Sequence, residues 1–164
     1  MRISKAQLIG AMVACGGIAS FAAAAEPITN TLSVHRVVLE SGGLERTVAA
    51  STAKPGDTLE YVVDLRNNGA APVSGLSATL PLPAGTELIP GSEHPAKALA
   101  SLDGATFGAM PLKRSVKRAD GSIADELVPS SEYRFLRWST SDLPANATLH
   151  YSARVNVSKT RSGK

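Results

Sequence analysis

Apolar and polar side chains alternate along two long segments of the chain, 58–67 and 148–158. A period of two residues, with β-branched and aromatic side chains among the apolar ones, is typical of a strand with one buried face. Because an apolar strand face has to be covered, we predict that the two strands pair with each other or pack beneath a second sheet. The side chains predicted to point inward are Leu59, Tyr61, Val63, Leu65, Leu149, Tyr151, Ala153, Val155 and Val157.

Shorter apolar segments predict six further strands, separated by turns rich in Pro, Gly, Asn and Asp. Pro fixes φ, Gly and Asn tolerate positive φ, and Asp accepts hydrogen bonds from nearby amides, so these turns have a physical basis. No segment after the N-terminus has the periodicity of an amphipathic helix. We therefore predict an all-β fold, an antiparallel β-sandwich. The further strands are predicted at 32–39, 73–80, 86–89, 98–102, 112–116 and 133–138.

The segment 133–138 can be read in two registers, which would bury opposite sets of side chains. We predict that Leu136 and Trp138 face the core, which places Tyr133 and Phe135 outside. In that register, the ring of Phe135 is either covered by the long segment 97–131 or part of an exposed patch for a partner.

The N-terminus has the organisation of a secretory signal peptide. Arg2 and Lys5 precede an uncharged stretch that ends in a run of alanines at Ala25. We predict a signal peptide over 1–25, a single β-sandwich domain over 26–158 and a frayed tail over 159–164. The protein is then exported, to the periplasm or the extracellular space. The formal net charge of +3 includes Arg2 and Lys5, so the predicted mature chain is close to neutral.

Cys15, the chain's one cysteine, gives an alternative interpretation of the N-terminus. Met12-Val13-Ala14-Cys15 loosely resembles a bacterial lipobox, which would make the product a lipid-anchored envelope protein. If cleavage follows Ala25 instead, the mature chain has no cysteine and can form no disulfide. The mature chain also has no stretch of about 18–20 apolar residues, so we predict no transmembrane segment.

Three turns with a strand between them resemble the DUF11 domain of bacterial surface and exported proteins. The matching stretches are Ala53-Lys-Pro-Gly-Asp-Thr-Leu-Glu-Tyr61, Leu65-Arg-Asn-Asn-Gly69 and Leu80-Pro-Leu-Pro-Ala-Gly-Thr86. Leu136-Arg-Trp138 and Asp142-Leu143 are similar to the family's closing half, so the resemblance spans about 47–157. It implies an immunoglobulin-like sandwich, often used as a stalk or spacer repeat, without catalytic residues. This sequence holds a single copy.

The strongest local charge feature consists of Lys113, Arg114, Lys117 and Arg118. Four cations within six positions suit an anionic glycan or lipid headgroup. The competing interpretation is a solvated hairpin whose charges are offset by the acids at 120, 125, 126 and 132. Export and the lack of interleaved aromatic residues argue against nucleic acid as a partner.

Catalytic and metal-binding patterns are missing from the sequence. His35, His94 and His150 are not at metal-ligand spacing, no Gly-x-Ser-x-Gly elbow occurs, and 120–126 lacks the alternating ligands of a calcium loop. We predict that His150 faces solvent and that the protein is not an enzyme and needs no cofactor. The expected function is that of an interaction or structural module of the cell envelope, with an envelope protein or polymer as partner. The oligomeric state stays open.

Overall fold

The computed structural model describes residues 27–140 and 142–159. In these ranges the chain forms eleven β-strands and one short 3₁₀ helix, Ser130–Glu132, and no α-helix. The strands are β1 Ile28–Leu39, β2 Glu45–Ala49, β3 Thr58–Asn67, β4 Ser77–Pro81, β5 Thr86–Leu88, β6 Leu99–Ser101, β7 Gly108–Ala109, β8 Lys113–Lys117, β9 Ile123–Leu127, β10 Phe135–Ser139 and β11 Thr148–Val157.

Two antiparallel sheets pack against each other, with a separate hairpin beside them. The larger sheet has the order β2-β1-β3-β11-β5, the smaller has the order β4-β10-β6-β7, and β8 pairs with β9 alone. Every strand pair described is antiparallel. The predicted all-β fold of packed antiparallel sheets is therefore confirmed.

The core lies between the sheets and contains the side chains that the alternation singled out. β3 and β11 are neighbours in the larger sheet, and Leu59, Val63 and Val155 are almost completely buried. Leu149 and Val157, near the two ends of β11, are half-buried and pack against the cluster from its rim. The period of two residues thus identified the inward face of both long strands correctly.

The predicted register of β10 is correct, but the position predicted for Tyr133 is wrong. Leu136 and Trp138 are buried, and the half-buried Phe135 lies on the other face, against Gly104 in the covering segment. Tyr133 is buried because the 3₁₀ helix ends immediately before it and β10 begins only at Phe135. Alternation counted back from Trp138 therefore does not apply to Tyr133, whose hydroxyl accepts a hydrogen bond from the Leu112 amide at 2.9 Å.

Several strand limits differ from the prediction for local reasons. β1 begins at Ile28, four residues earlier than predicted. The predicted strand 73–80 is regular only from Ser77, because Gly75 has φ = +71° and leaves Val73 in an isolated bridge to Leu143. β2 was not predicted, since its side chains are exposed except for the half-buried Val48.

The N-terminal predictions concern residues outside the described part of the chain. The signal peptide 1–25, the lipidation of Cys15 and positions 160–164 of the tail all fall there. Within the described ranges, no helix has the length and apolar character that a membrane span needs.

Candidate functional site

The basic segment forms one strand of an exposed hairpin, as one of its two interpretations predicted. β8 and β9 pair from Lys113 opposite Leu127 to Lys117 opposite Ile123. The Gly121 amide donates to the Arg118 carbonyl at 3.0 Å, and the Arg118 amide donates to the Ser122 carbonyl at 2.8 Å. Gly121 has φ = +85°, which suits a glycine at the end of a three-residue hairpin loop.

Asp120 caps this loop. Its carboxylate accepts hydrogen bonds from the Ser122 hydroxyl at 2.6 Å and from the Ser122 amide at 2.9 Å. These two bonds, the hydroxyl bond first, lower the pKa of the Asp120 carboxyl below its ordinary value. The carboxylate is therefore engaged in closing the turn.

The four basic residues do not share one surface. In an antiparallel pair, directly opposed residues point to the same face, and neighbours along a strand point to opposite faces. Lys113 and Lys117 therefore share one face, whereas Arg114 lies on the other and forms an ion pair with Glu132 at 2.8 Å. Arg118 follows the strand and enters the loop.

We name the lysine-bearing side of the pair the outward hairpin face, because the opposite side holds the half-buried Val116 and Ala124. Two large apolar side chains lie on the outward hairpin face, Ile123 at 76% and Leu127 at 63% exposure. The Ser115 hydroxyl donates to the Asp125 carboxylate across its centre at 2.9 Å. The full membership of the face is Lys113, Ser115, Lys117, Ile123, Asp125 and Leu127.

The nearby acids offset only part of the positive charge. Glu132 pairs with Arg114, as its position in the sequence suggested, but Asp120 and Asp125 bond to serine hydroxyls. Among the described residues, no salt bridge involves Lys113, Lys117 or Arg118. The two lysine ammonium groups are thus available to an external anion.

A cavity of about 520 Å³ opens beside the base of the hairpin. Its wall has apolar parts from Leu127 and Val128 on the hairpin side, from Met110 and from Leu88 of β5. Among the residues that the structure describes, Glu93 is the one acidic side chain that lines it. One carboxylate oxygen of Glu93, Oε2, is buried and has no hydrogen-bond donor among the described residues. No sequence signal indicated this cavity, because its wall comes from three segments that only the fold brings together.

The described part of the chain contains no group of three or more His, Cys, Asp or Glu side chains arranged to hold a metal ion. His150 is exposed on β11, as predicted, with Nδ1 2.7 Å from the Asp64 carboxylate on the neighbouring β3. This pair is a cross-strand contact on the outer surface of the larger sheet.

Comparison of the chain with protein-family models, curated proteins and solved structures finds no match. The resemblance to the DUF11 domain therefore stays a prediction from the sequence. The structure shows what two of its turns do: the Asp57 carboxylate accepts from the Lys54 amide at 2.8 Å, and buried Asn67 closes the turn after β3.

Proposed function

We propose that the protein is an exported, non-enzymatic, immunoglobulin-like β-sandwich that serves as an interaction module of the cell envelope. Its contact surface is the outward hairpin face, and its partner is an anionic lipid surface. The observation that carries this proposal is the placement of two unpaired lysines beside two exposed apolar side chains on one face of the hairpin.

This combination of side chains favours a lipid surface over a soluble anionic glycan. A glycan could neutralise Lys113 and Lys117, but it would leave Ile123 and Leu127 in water. At a bilayer, apolar side chains enter the boundary between headgroups and acyl chains, while lysine ammonium groups stay at the headgroups. Both pairs of side chains on this face then have a favourable environment.

The expected affinity is low and depends on salt. Each lysine near an anionic membrane contributes about 1 kcal/mol, the Asp125 carboxylate on the same face opposes them, and partial burial of Ile123 and Leu127 adds about 2 kcal/mol together. The electrostatic part falls off within a Debye length of about 8–10 Å at ordinary ionic strength. Such a module needs either many copies on one surface or a second attachment for stable retention.

The test is cosedimentation of the exported protein with vesicles of phosphatidylcholine alone and with added phosphatidylglycerol. We expect retention on the anionic vesicles only. The double variant Lys113→Glu/Lys117→Glu should reduce it to the phosphatidylcholine level, and Ile123→Ser/Leu127→Ser should weaken it without changing the net charge. The matched control is Lys54→Glu/Arg66→Glu, which changes the charge equally at exposed positions outside the hairpin and should bind like the parent.

Two results would overturn the lipid assignment. The first is equal retention of the parent and the Lys113→Glu/Lys117→Glu variant, with both folded by circular dichroism. The second is that the parent binds neither kind of vesicle but binds a column of anionic polysaccharide, and that the Lys113→Glu/Lys117→Glu variant does not bind the column. The second outcome would identify the glycan alternative.

A further inference from the structure

The cavity beside the hairpin has the size and lining of a small-molecule site. Its volume of about 520 Å³ lies within the range of roughly 300–1,000 Å³ typical of such sites. Leu88, Met110, Val128 and the ring of Tyr133 give it a mostly apolar wall. An apolar wall with one or two placed polar groups is the usual composition of a ligand pocket.

Glu93 supplies the polar group. A carboxylate accepts hydrogen bonds and donates none when ionised, and buried polar atoms are nearly always partnered. Oε2 of Glu93 is buried without a donor among the described residues, although the residue lines the cavity. A carboxylate that borders an apolar cavity and has one oxygen without a donor attracts a cationic donor, which that oxygen meets when the carboxylate turns towards the cavity.

Both neighbours of Glu93 are bonded to β11, His94 through its backbone and Ser92 through its side chain, so Glu93 cannot easily withdraw from the cavity. The amide and carbonyl of His94 bond to the carbonyl and amide of Ser152 at 2.8 and 2.7 Å. On the other side, the Ser92 hydroxyl accepts from the Arg154 amide at 2.9 Å. The terminal carboxylate torsion of glutamate is broad, which lets Oε2 turn towards a ligand while the backbone stays in place.

We propose that this cavity binds a small amphiphilic amine, with the apolar chain against Met110, Val128 and Tyr133 and the ammonium group on the Glu93 carboxylate. The ammonium supplies the missing donor and the opposite charge together. A fatty acid of the same length would bring a second carboxylate to Glu93, so like-charge repulsion excludes it. The site involves neither lysine of the outward hairpin face and shares only Leu127 with that face, so either proposal can fail alone.

Met110 provides a direct reporter of occupancy. The chain has three methionines, Met1, Met12 and Met110. The full chain labelled with ¹³C-methyl methionine therefore gives at most three methionine signals, and comparison with Met110→Leu assigns the one from the cavity wall. Because Met110 lines the cavity, its signal is sensitive to a ligand bound there.

The experiment titrates the labelled protein with octylammonium, octanol and octanoate. We expect octylammonium to shift the Met110 signal to saturation, octanol to bind about tenfold more weakly and octanoate to leave the signal unchanged. Glu93→Gln keeps the shape of the side chain but removes its charge. It should lower the affinity for octylammonium about tenfold, since a hydrogen bond to a charged group contributes at least about one factor of ten to an affinity. The affinity for octanol should stay the same.

Glu40→Gln is the matched control, because Glu40 is an exposed acid that pairs with Arg46 at the turn between β1 and β2. It should bind octylammonium like the parent. The proposal is overturned if octanoate shifts the Met110 signal as strongly as octylammonium, or if Glu93→Gln binds octylammonium unchanged. If Glu93→Gln does not fold, the comparison of the three ligands on the parent protein decides alone.

Discussion

Asn67 shows at the scale of one residue how a buried polar side chain joins two distant parts of the chain. Its amide nitrogen donates to the carbonyls of Ala71 at 2.8 Å and of Leu143 and Pro144 at 3.1 Å. Its amide oxygen accepts from the Gly69 amide at 2.9 Å. Both ends of the side chain are thus used, although Asn67 is completely buried.

The sequence predicted this turn but assigned it the wrong cause. The pattern Asn67-Asn68-Gly69 predicts a turn on the ground that Asn and Gly tolerate positive φ, yet none of the three residues has positive φ. The turn is instead closed by the Asn67 side chain, and Gly69 leaves room for it: a Cβ there would lie 3.1 Å from the Asn67 amide oxygen. The partners of Asn67 at 143 and 144 are too distant in the sequence to be inferred from local pattern.

Replacing Asn67 with Ala should lower the free energy of unfolding by about 2–4 kcal/mol. The substitution removes four hydrogen bonds made by a completely buried side chain and takes the acceptor from the Gly69 amide, although the Leu143 and Pro144 carbonyls keep the Val73 and Ala147 amides as donors. Losing these buried bonds costs more than losing an exposed bond. Asn68→Ala is the adjacent control, because Asn68 is exposed where it bonds to Arg66 and Thr29, and it should cost less than about 1 kcal/mol. Urea denaturation followed by Trp138 fluorescence measures both, and equal effects would show that the buried network adds nothing.

At the scale of the elements, alternation predicts the two long strands that bury one face, and neither alternation nor apolar content predicts β2 or β9. β3 and β11 lie side by side inside the larger sheet, and each buries every second side chain over most of its length. β2 and β9 have no buried residue, so their sequences carry no period of two. Each of them is a strand because it pairs with a neighbouring strand, and the composition of the segment does not indicate that pairing. The cavity around Glu93 was unpredictable for a related reason, since its wall assembles from separate elements.

The turn 101–106 covers the outer face of β10. The Asp103 carboxylate accepts from the amides of Ala105 and Thr106 at 2.8 and 2.9 Å and from the Ser101 hydroxyl at 2.9 Å. Those bonds, the Thr106 amide first, lower the pKa of Asp103. They hold Gly104, with φ = +79°, against the ring of Phe135.

Gly104→Ala should lower the free energy of unfolding by about 2–4 kcal/mol. A Cβ at this position would meet the Phe135 ring at 3.0–3.3 Å and would also be strained at positive φ. Gly121→Ala in the hairpin loop is the matched control, since its φ is +85° but no heavy atom beyond its two chain neighbours lies within 4 Å of the added Cβ among the described residues. It should cost only the backbone strain, about 1–2 kcal/mol. Thermal unfolding measures the difference in stability between the two variants. Similar losses of stability in both would mean that the Phe135 ring moves aside without an energetic penalty.

At the scale of the whole molecule, the order of strands places the C-terminal strand within the larger sheet. β11 pairs with β3 on one side and with β5 on the other. It also contributes Tyr151 to the core, whose ring lies 5.4 Å from that of Trp138 in the smaller sheet. The two sheets therefore both depend on β11, the last of the described strands along the chain.

A chain that ends at Ala147 should fail to fold cooperatively. It would lose the burial of Tyr151, Ala153 and Val155 and would leave β3 with an open edge. Each large side chain contributes about 1.5–3 kcal/mol, and the backbone pairing adds to this, against a typical domain stability of about 5–15 kcal/mol. A chain that ends at Lys159 keeps all of β11 and should melt like the parent. Far-ultraviolet circular dichroism and Trp138 fluorescence during heating separate the two, and a sharp transition in the shorter chain would show that the remaining strands form a stable sandwich without β11.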